Sequence, residues 1–368
     1  MSNLVIQARE ALVSRALAVA AQPRLWHQVP TVDQELLLAF VEMKGAGSDK
    51  TFRRYFRVLS QLMMWLDKPL KALTSADMRL YQRFLASPPQ PFQDLSEYPF
   101  APANPKTIDD VFVVIKSFCT FLMNEQVLHH NPAKNVAKLQ RTAKGETKNF
   151  FNRVKWRVLW EAIDALPYTS AREQHQAERL RFMFAISYGL ALRPDEAATH
   201  TMMTLYPSEG SYKIDISGKG NKARTLRLDP DTVSAIQRYR KFLGLPPDPQ
   251  GEPIPFLPCL YPIVRKSRGP NKGLLIKKGI SSAAWRMEFK ETLEKAYRRL
   301  YEIPEGTAIT HTATWQKEWA ILSPHGLRHT RISHLAIDQQ WDALRVMRFA
   351  GHESLSTTQV YFHFGVEE

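Results

Sequence analysis

Cysteine is nearly missing from this 368-residue chain, which has only Cys119 and Cys259. One pair cannot build a disulfide framework, and without a C-x-x-C spacing there is no thiolate zinc motif. Both lie in apolar surroundings, so two buried thiols in a reducing cytosol are expected. Long hydrophobic runs are missing too. No window approaches the ~18 apolar residues that a membrane span needs. Arg15, Gln22 and Arg24 interrupt the Ala-rich start, which therefore does not read as an export signal. The expectation is a soluble, cytoplasmic protein with no membrane partner. Negative charge is the third shortage. Against 50 Lys and Arg stand 36 Asp and Glu, for a formal net charge of +14. Such an excess suits a polyanion, because each cation placed on a phosphate releases condensed counterions. It is also compatible with plain solubility, so charge by itself favours nucleic acid only modestly.

What is present is mostly helical periodicity. Residues 1–28 read as an Ala-rich extension and 29–135 as a helical domain. In Lys50–Asp67, Phe52, Tyr55, Phe56, Leu59, Leu62, Met63 and Leu66 keep the spacing of one buried helix face. Arg53, Arg54 and Arg57 fall on the outer face and are candidate phosphate contacts. A second helix follows the N-cap hydroxyls of Thr74 and Ser75. The stretch Ser87–Pro105 holds six prolines and is expected to be a loop. A helix from about Thr107 to Val127 then runs to the stop at Asn131-Pro132. Residues 136–153 are basic and aperiodic and read as a linker. In 154–368, helices are expected at 154–166, 173–192, 231–243 and 281–301, with a helical last stretch. Alternation at Tyr212, Ile214 and Ile216, a Gly-Lys-Gly-Asn-Lys turn, and Thr225, Leu226 and Leu228 predict one small hairpin. The Pro- and Gly-rich segment 245–280 carries Arg265, Lys266 and Arg268. The fold class is mainly α with a small β-sheet.

Four separated segments bear chemistry. Leu192-Arg193-Pro194-Asp195-Glu196 ends an apolar helix with an arginine and nearby acid. Gly218-Lys219-Gly220-Asn221-Lys222 is a basic hairpin tip. His325-Gly326-Leu327-Arg328 sets a histidine and an arginine on one helix face. Gly351-His352 precedes Tyr361 by nine residues from the histidine. Taken singly, each has an ordinary explanation: a surface ion pair, a solvated turn, a helix cap, a packed tyrosine.

In this order the segments resemble the tyrosine recombinases, the family of phage integrases and Xer-type enzymes. The match runs from Arg193 with Glu196, through Lys219, His325 and Arg328, to His352 and Tyr361. FAGHESLSTTQVYFHF is especially close to the family's final motif. The resemblance implies a helical, SAM-like core-binding domain followed by an α+β catalytic domain. It implies site-specific recombination of double-stranded DNA at paired half-sites by a homotetramer formed on DNA from free monomers, with no cofactor or metal. Tyr361 is then the nucleophile, with Arg193, Arg328 and His352 on the phosphate. His325 is the implied acceptor of the phenolic proton, Lys219 is the acid for the leaving 5′-oxygen, and Glu196 supports the arginines. The long loop at 88–105, the basic insertion at 245–280 and the seven residues after Tyr361 depart from compact relatives.

The chemistry asks for these residue types. Without a metal, charge on the non-bridging oxygens must be met by side chains, and arginine is permanently cationic and bidentate. A phenol with a pKa of ~10 needs a proton acceptor near neutrality. A type IB topoisomerase or a telomere resolvase would use the same set, and a non-catalytic DNA-binding protein would account for charge and helices alone. A metal hydrolase could draw on His311, His325, His329, His334 and His352, but no H-E-x-x-H or carboxylate cluster accompanies them.

Overall fold

The computed structural model describes residues 24–139, 150–218, 223–266, 268 and 273–362. The chain forms two compact units, Met1–Lys144 and Gly145–Glu368.

The first unit is built from helices. Helix α1 (Thr31–Gly45) buries Leu37, Phe40 and Val41, one face at helical spacing. Helix α2 (Asp49–Trp65) starts at Ser48, whose hydroxyl accepts the Thr51 N–H at 3.2 Å. Helix α3 (Ser75–Ala86) is fixed by a reciprocal capping box between Thr74 and Asp77. The Pro-rich stretch is not all loop. Phe92 is buried edge-on against Phe84 and Phe100, at 4.8 and 5.5 Å between ring centroids, and this anchor supports a short helix α4 (Gln90–Gln93). Helix α5 (Pro105–Asn124) begins at the Asn104 cap and stops short of Val127, because Gln126 turns the chain at φ +58°. Residues 24–28, expected as part of an extension, are packed into this unit: Arg24 N–H donates to Met64 O at 2.9 Å, and Trp26 lies 5.9 Å from Phe56.

In the second unit helix α6 (Arg153–Asp164) and helix α7 (Ala171–Gly189) follow one another. Helix α7 is the central element and packs on α6 and on the later helices α9 (Pro230–Phe242) and α11 (Pro324–Ala336). Gly189 allows the closest approach: a Cβ there would lie 2.0 Å from Thr232 Oγ1 on α9. Between α7 and α9 come α8 (Pro194–Thr199) and an antiparallel meander, β1 (Leu205–Ser208), β2 (Ser211–Ser217) and β3 (Ala223–Arg227). The expected hairpin is β2–β3, with Ile214 opposite Leu226; β1 adds a third strand. The basic insertion holds a second antiparallel ribbon, β4 (Ile263–Lys266) and β5 (Gly273–Ile276), where the sequence predicted no strand. Its period is hard to see because both strands are exposed or half-buried along their length. Cys259, expected to be buried, is only half-buried within this insertion, whereas Cys119 on α5 is buried. Helix α10 (Ser282–Leu300) places Trp285 and Phe289 against Phe184 of α7. Helices α12 (Ala343–Ala350) and α13 (Leu355–Gln359) close the described chain. Among the described residues no helix is long and apolar enough to cross a membrane.

Candidate active site

The site is assembled around the ends of helices. An α-helix leaves its last carbonyls without internal partners. Helix α7 ends in a turn in which Ala191 takes φ +46°, and α12 ends at Gly351 with φ +64°. Arg328, on the first turns of α11, spans these two ends. Its Nη1 donates to Ala191 O and its Nη2 to Ala350 O, both at 2.6 Å. Arg193, the N-cap residue of α8, donates from Nη2 to the next carbonyl, Gly351 O, at 3.2 Å. Two guanidiniums are thus held on consecutive carbonyls, in the place where a helix dipole favours cations. Burial and the charges of Arg193 and Arg224 oppose the Arg328 cation, yet a guanidinium stays protonated, so the site keeps a fixed charge.

Glu196 compensates part of it. The carboxylate is buried and accepts from Arg193 Nη1 at 2.7 Å and from the Arg193 backbone N–H at 3.0 Å. Arg224 of β3 grips both oxygens, at 3.1 and 2.9 Å. Burial by itself pushes this carboxyl up; the Arg224 fork and the Arg193 bonds outweigh it and hold it down at about 2. Through Arg224 the hairpin strand is locked to the clamp. Arg224 was not singled out in the sequence, although its place shortly after Lys219 was a signal.

Tyr361 follows α13, and its ring belongs to a small apolar cluster with Ala191, Ile332, Val346 and Ala350. The residue is 6% exposed, and burial raises the phenol above its ordinary range while Arg328 and Arg193 act to lower it. Its hydroxyl is hydrogen-bonded to Nδ1 of His329. The His329 ring also stacks on the phenol at 5.6 Å, and the His352 ring does so at 6.0 Å. His352 is oriented by Thr358, whose Oγ1 lies 2.9 Å from Nδ1. His325, which the resemblance made the phenol's proton acceptor, packs edge-on against His329 at 4.5 Å between centroids. The ring bonded to the phenol is thus one turn further along α11. The signal for it was the i, i+4 spacing of His325 and His329. Burial first, then neighbouring charges led by Arg328 for His325 and His352 and by His325 for His329, push all three imidazoles down to about 4. They are therefore neutral at physiological pH.

The structure brings together Arg193, Glu196, His325, Arg328, His352 and Tyr361. Lys219 and Lys222 belong to the β2–β3 connection and lie outside the described residues. Arg53, Arg54 and Arg57 are exposed on α2, with Arg53 paired to Asp49 at 2.9 Å and Arg54 donating to Asp110 O at 3.3 Å. Arg265, Lys266 and Arg268 are exposed at the second ribbon, Arg265 donating to Gly244 O at 3.1 Å. His334, a candidate metal ligand by sequence, bonds Tyr188 Oη at 2.7 Å through Nδ1. Among the described residues no three His, Cys, Asp or Glu side chains are grouped to hold a metal ion. The arrangement can bind a tetrahedral anion between two cations, in front of a phenol and neutral imidazoles.

The chain is similar to known proteins in sequence and in fold. A sequence model of the Phage integrase family matches residues 290–368. Tyrosine recombinase XerD of Caulobacter vibrioides is 25% identical over 335 residues, which cover 89% of this chain and 92% of that protein. Tyrosine recombinase XerD of Rickettsia conorii is 24% identical over 265 residues, 70% of this chain and 73% of that one. Two solved structures share the fold. A lambda integrase dimer bound to a COC′ core site superposes with a TM-score of 0.59 at 10% identity, over 91% of this chain and 96% of that one. XerH bound to palindromic difH substrate, a post-cleavage complex, gives 0.57 at 17% identity, over 90% and 81%.

Proposed function

This chain belongs to the tyrosine recombinase family of site-specific recombinases, and on that premise we propose that it cuts and rejoins double-stranded DNA through a covalent 3′-phosphotyrosyl link at Tyr361. The observation that carries this reading is the tie of Arg193 and Arg328 to the consecutive carbonyls of Gly351 and Ala350, beside a buried phenol. The scissile phosphate binds at these guanidiniums, which meet the charge developing on its non-bridging oxygens. His325 and His352, both neutral, add ring N–H donors. Tyr361 Oη attacks phosphorus, the bond to the 5′-oxygen breaks, and Lys219 supplies the proton that the leaving oxygen takes. The phenolic proton passes to an imidazole on the α11 face, where His325 and His329 stand one turn apart. Glu196 keeps Arg193 in place. The link preserves the energy of the diester, so a 5′-hydroxyl reverses the step without ATP, metal or cofactor.

Around this centre, Arg53, Arg54, Arg57, Lys222, Arg265, Lys266 and Arg268 supply phosphate contacts, which position the duplex without reading its sequence. Exchange between two duplexes takes four cuts, so four copies act on paired half-sites, assembling from free monomers. The test starts from duplexes selected out of a random pool by the protein. Nicked versions, which lose the 5′-fragment after cleavage, should accumulate a denaturant-resistant adduct. Tyr361→Phe should bind the same duplex and form none; an adduct in that variant would overturn the assignment. Light scattering with and without paired half-sites tests the assembly, and a stable tetramer without DNA would contradict it.

A further inference from the structure

A half-buried group that the family resemblance left unused stands against the reacting atom. We propose that His329 is the catalytic residue that takes the phenolic proton of Tyr361 during strand cleavage and returns it during resealing. This rests on Tyr361 being the nucleophile. The hydroxyl and His329 Nδ1 are hydrogen-bonded, and the two rings stack at 5.6 Å with 26° between their planes. Both residues are held from behind. Tyr361 sits in the apolar cluster that includes Ile332, one turn beyond Arg328 on the same helix as His329. Arg328, adjacent to His329 in sequence, is pinned to two helix ends. The other imidazoles are committed differently: His352 Nδ1 is engaged by Thr358, and His325 lies edge-on to the His329 ring.

The step balances within the site. The Oη–H bond breaks and its proton goes to Nδ1, while the freed oxygen pair bonds phosphorus. The phosphorus–oxygen bond to the 5′-carbon side breaks, and that oxygen is protonated by the Lys219 ammonium. His329 leaves the step as imidazolium, and the reverse step returns its proton to Oη. For such a transfer Nδ1 must be the unprotonated nitrogen of the resting ring and Nε2 the protonated one.

The surroundings also explain why the proton stays on the phenol until DNA arrives. Burial, and then the charges of His325, Arg328 and His352, hold His329 down at about 4. A phosphate bound at the two arginines brings negative charge to the same place and offsets that repulsion. Proton uptake is therefore coupled to occupancy of the clamp.

The experiment uses the full chain and nicked duplexes carrying either the ordinary 5′-oxygen or a bridging 5′-sulfur, a leaving group that needs no acid. His329→Asn presents an oxygen near the Nδ1 position, able to accept a hydrogen bond but not to keep a proton; His329→Ala removes both abilities. Both should bind duplex normally and form adduct more slowly by roughly 10²- to 10⁴-fold, the range of general base catalysis, on both substrates. Lys219→Ala should instead recover on the sulfur substrate. Cleavage by His329→Asn at the wild-type rate would overturn the proposal, as would recovery of either His329 variant on the sulfur substrate. Wild-type protein labelled with nitrogen-15 in histidine gives a readout that does not depend on a variant folding. The His329 Nδ1 signal should be that of an unprotonated acceptor coupled to the Tyr361 hydroxyl, and a protonated Nδ1 would overturn the proposal. Absence of any Tyr361 adduct with wild-type protein would instead refute the parent assignment.

Discussion

Replacing Glu196 by glutamine tests how the charge of the site is balanced. The buried carboxylate accepts two bonds from Arg193 and two from Arg224. Glutamine keeps the shape and one acceptor but removes the charge, leaving two guanidiniums facing each other near Arg328. The carboxyl sits at about 2 in the fold against an ordinary 4.5, a gap worth about 3 kcal/mol at 1.36 kcal/mol per pH unit. Loss of one partner from a buried ion pair costs ~3–5 kcal/mol by comparison with other proteins, so the two routes agree. Because the folded value is depressed, the stabilisation is complete above 4.5 and fades as pH falls toward about 2. Urea unfolding of wild type and Glu196→Gln should therefore differ by about 3 kcal/mol at pH 7, and the difference should shrink steadily as the pH is lowered below 4.5. Adduct formation at pH 7 should fall as well, since Arg193 loses its anchor. A difference that is absent at pH 7, or constant down to pH 3, would refute this account of the site.

Arg328→Lys should abolish adduct formation and destabilise the fold by about 2–4 kcal/mol, because one ammonium cannot bridge the Ala191 and Ala350 carbonyls and each buried carbonyl left bare costs ~1–3; thermal unfolding and the adduct gel measure both. Gly351→Ala meets a left-handed backbone and Arg224 Cδ at 3.0 Å, so it should lose more than the ~1–2 kcal/mol of the backbone term and slow cleavage, while Gly351→Asn should relieve the backbone term alone and keep the contact with Arg224. Replacing Arg53, Arg54 and Arg57 together by glutamine should flatten the plot of log K against log [salt] by about 0.9 for each phosphate no longer neutralised, without changing which duplex is preferred. Cleavage should persist in excess EDTA; loss restored by zinc or magnesium would return attention to the histidines as metal ligands.

Much of this protein was determined by the sequence alone. Helical periodicity found the helices it bounded, among them α2, α5 and α7, to within a few residues, because a buried face must recur with the turn of the helix; it did not delimit α1 or α11. The ordered set from Arg193 to Tyr361 suggested a site by resemblance to a family, and those of its members that fall among the described residues lie together in the fold. Where the chain departs from expectation, contacts distant in sequence prevail. Phe92 finds Phe84 and Phe100 and turns part of a Pro-rich loop into helix. The exposed β4–β5 ribbon has no buried face to impose alternation. Only tertiary structure could reveal that Arg224 shares Glu196 with Arg193, or that His329 rather than His325 is bonded to the phenol. Both depend on where separate helix ends and a strand meet, and the carbonyls that fix the arginines become binding groups only when those ends converge.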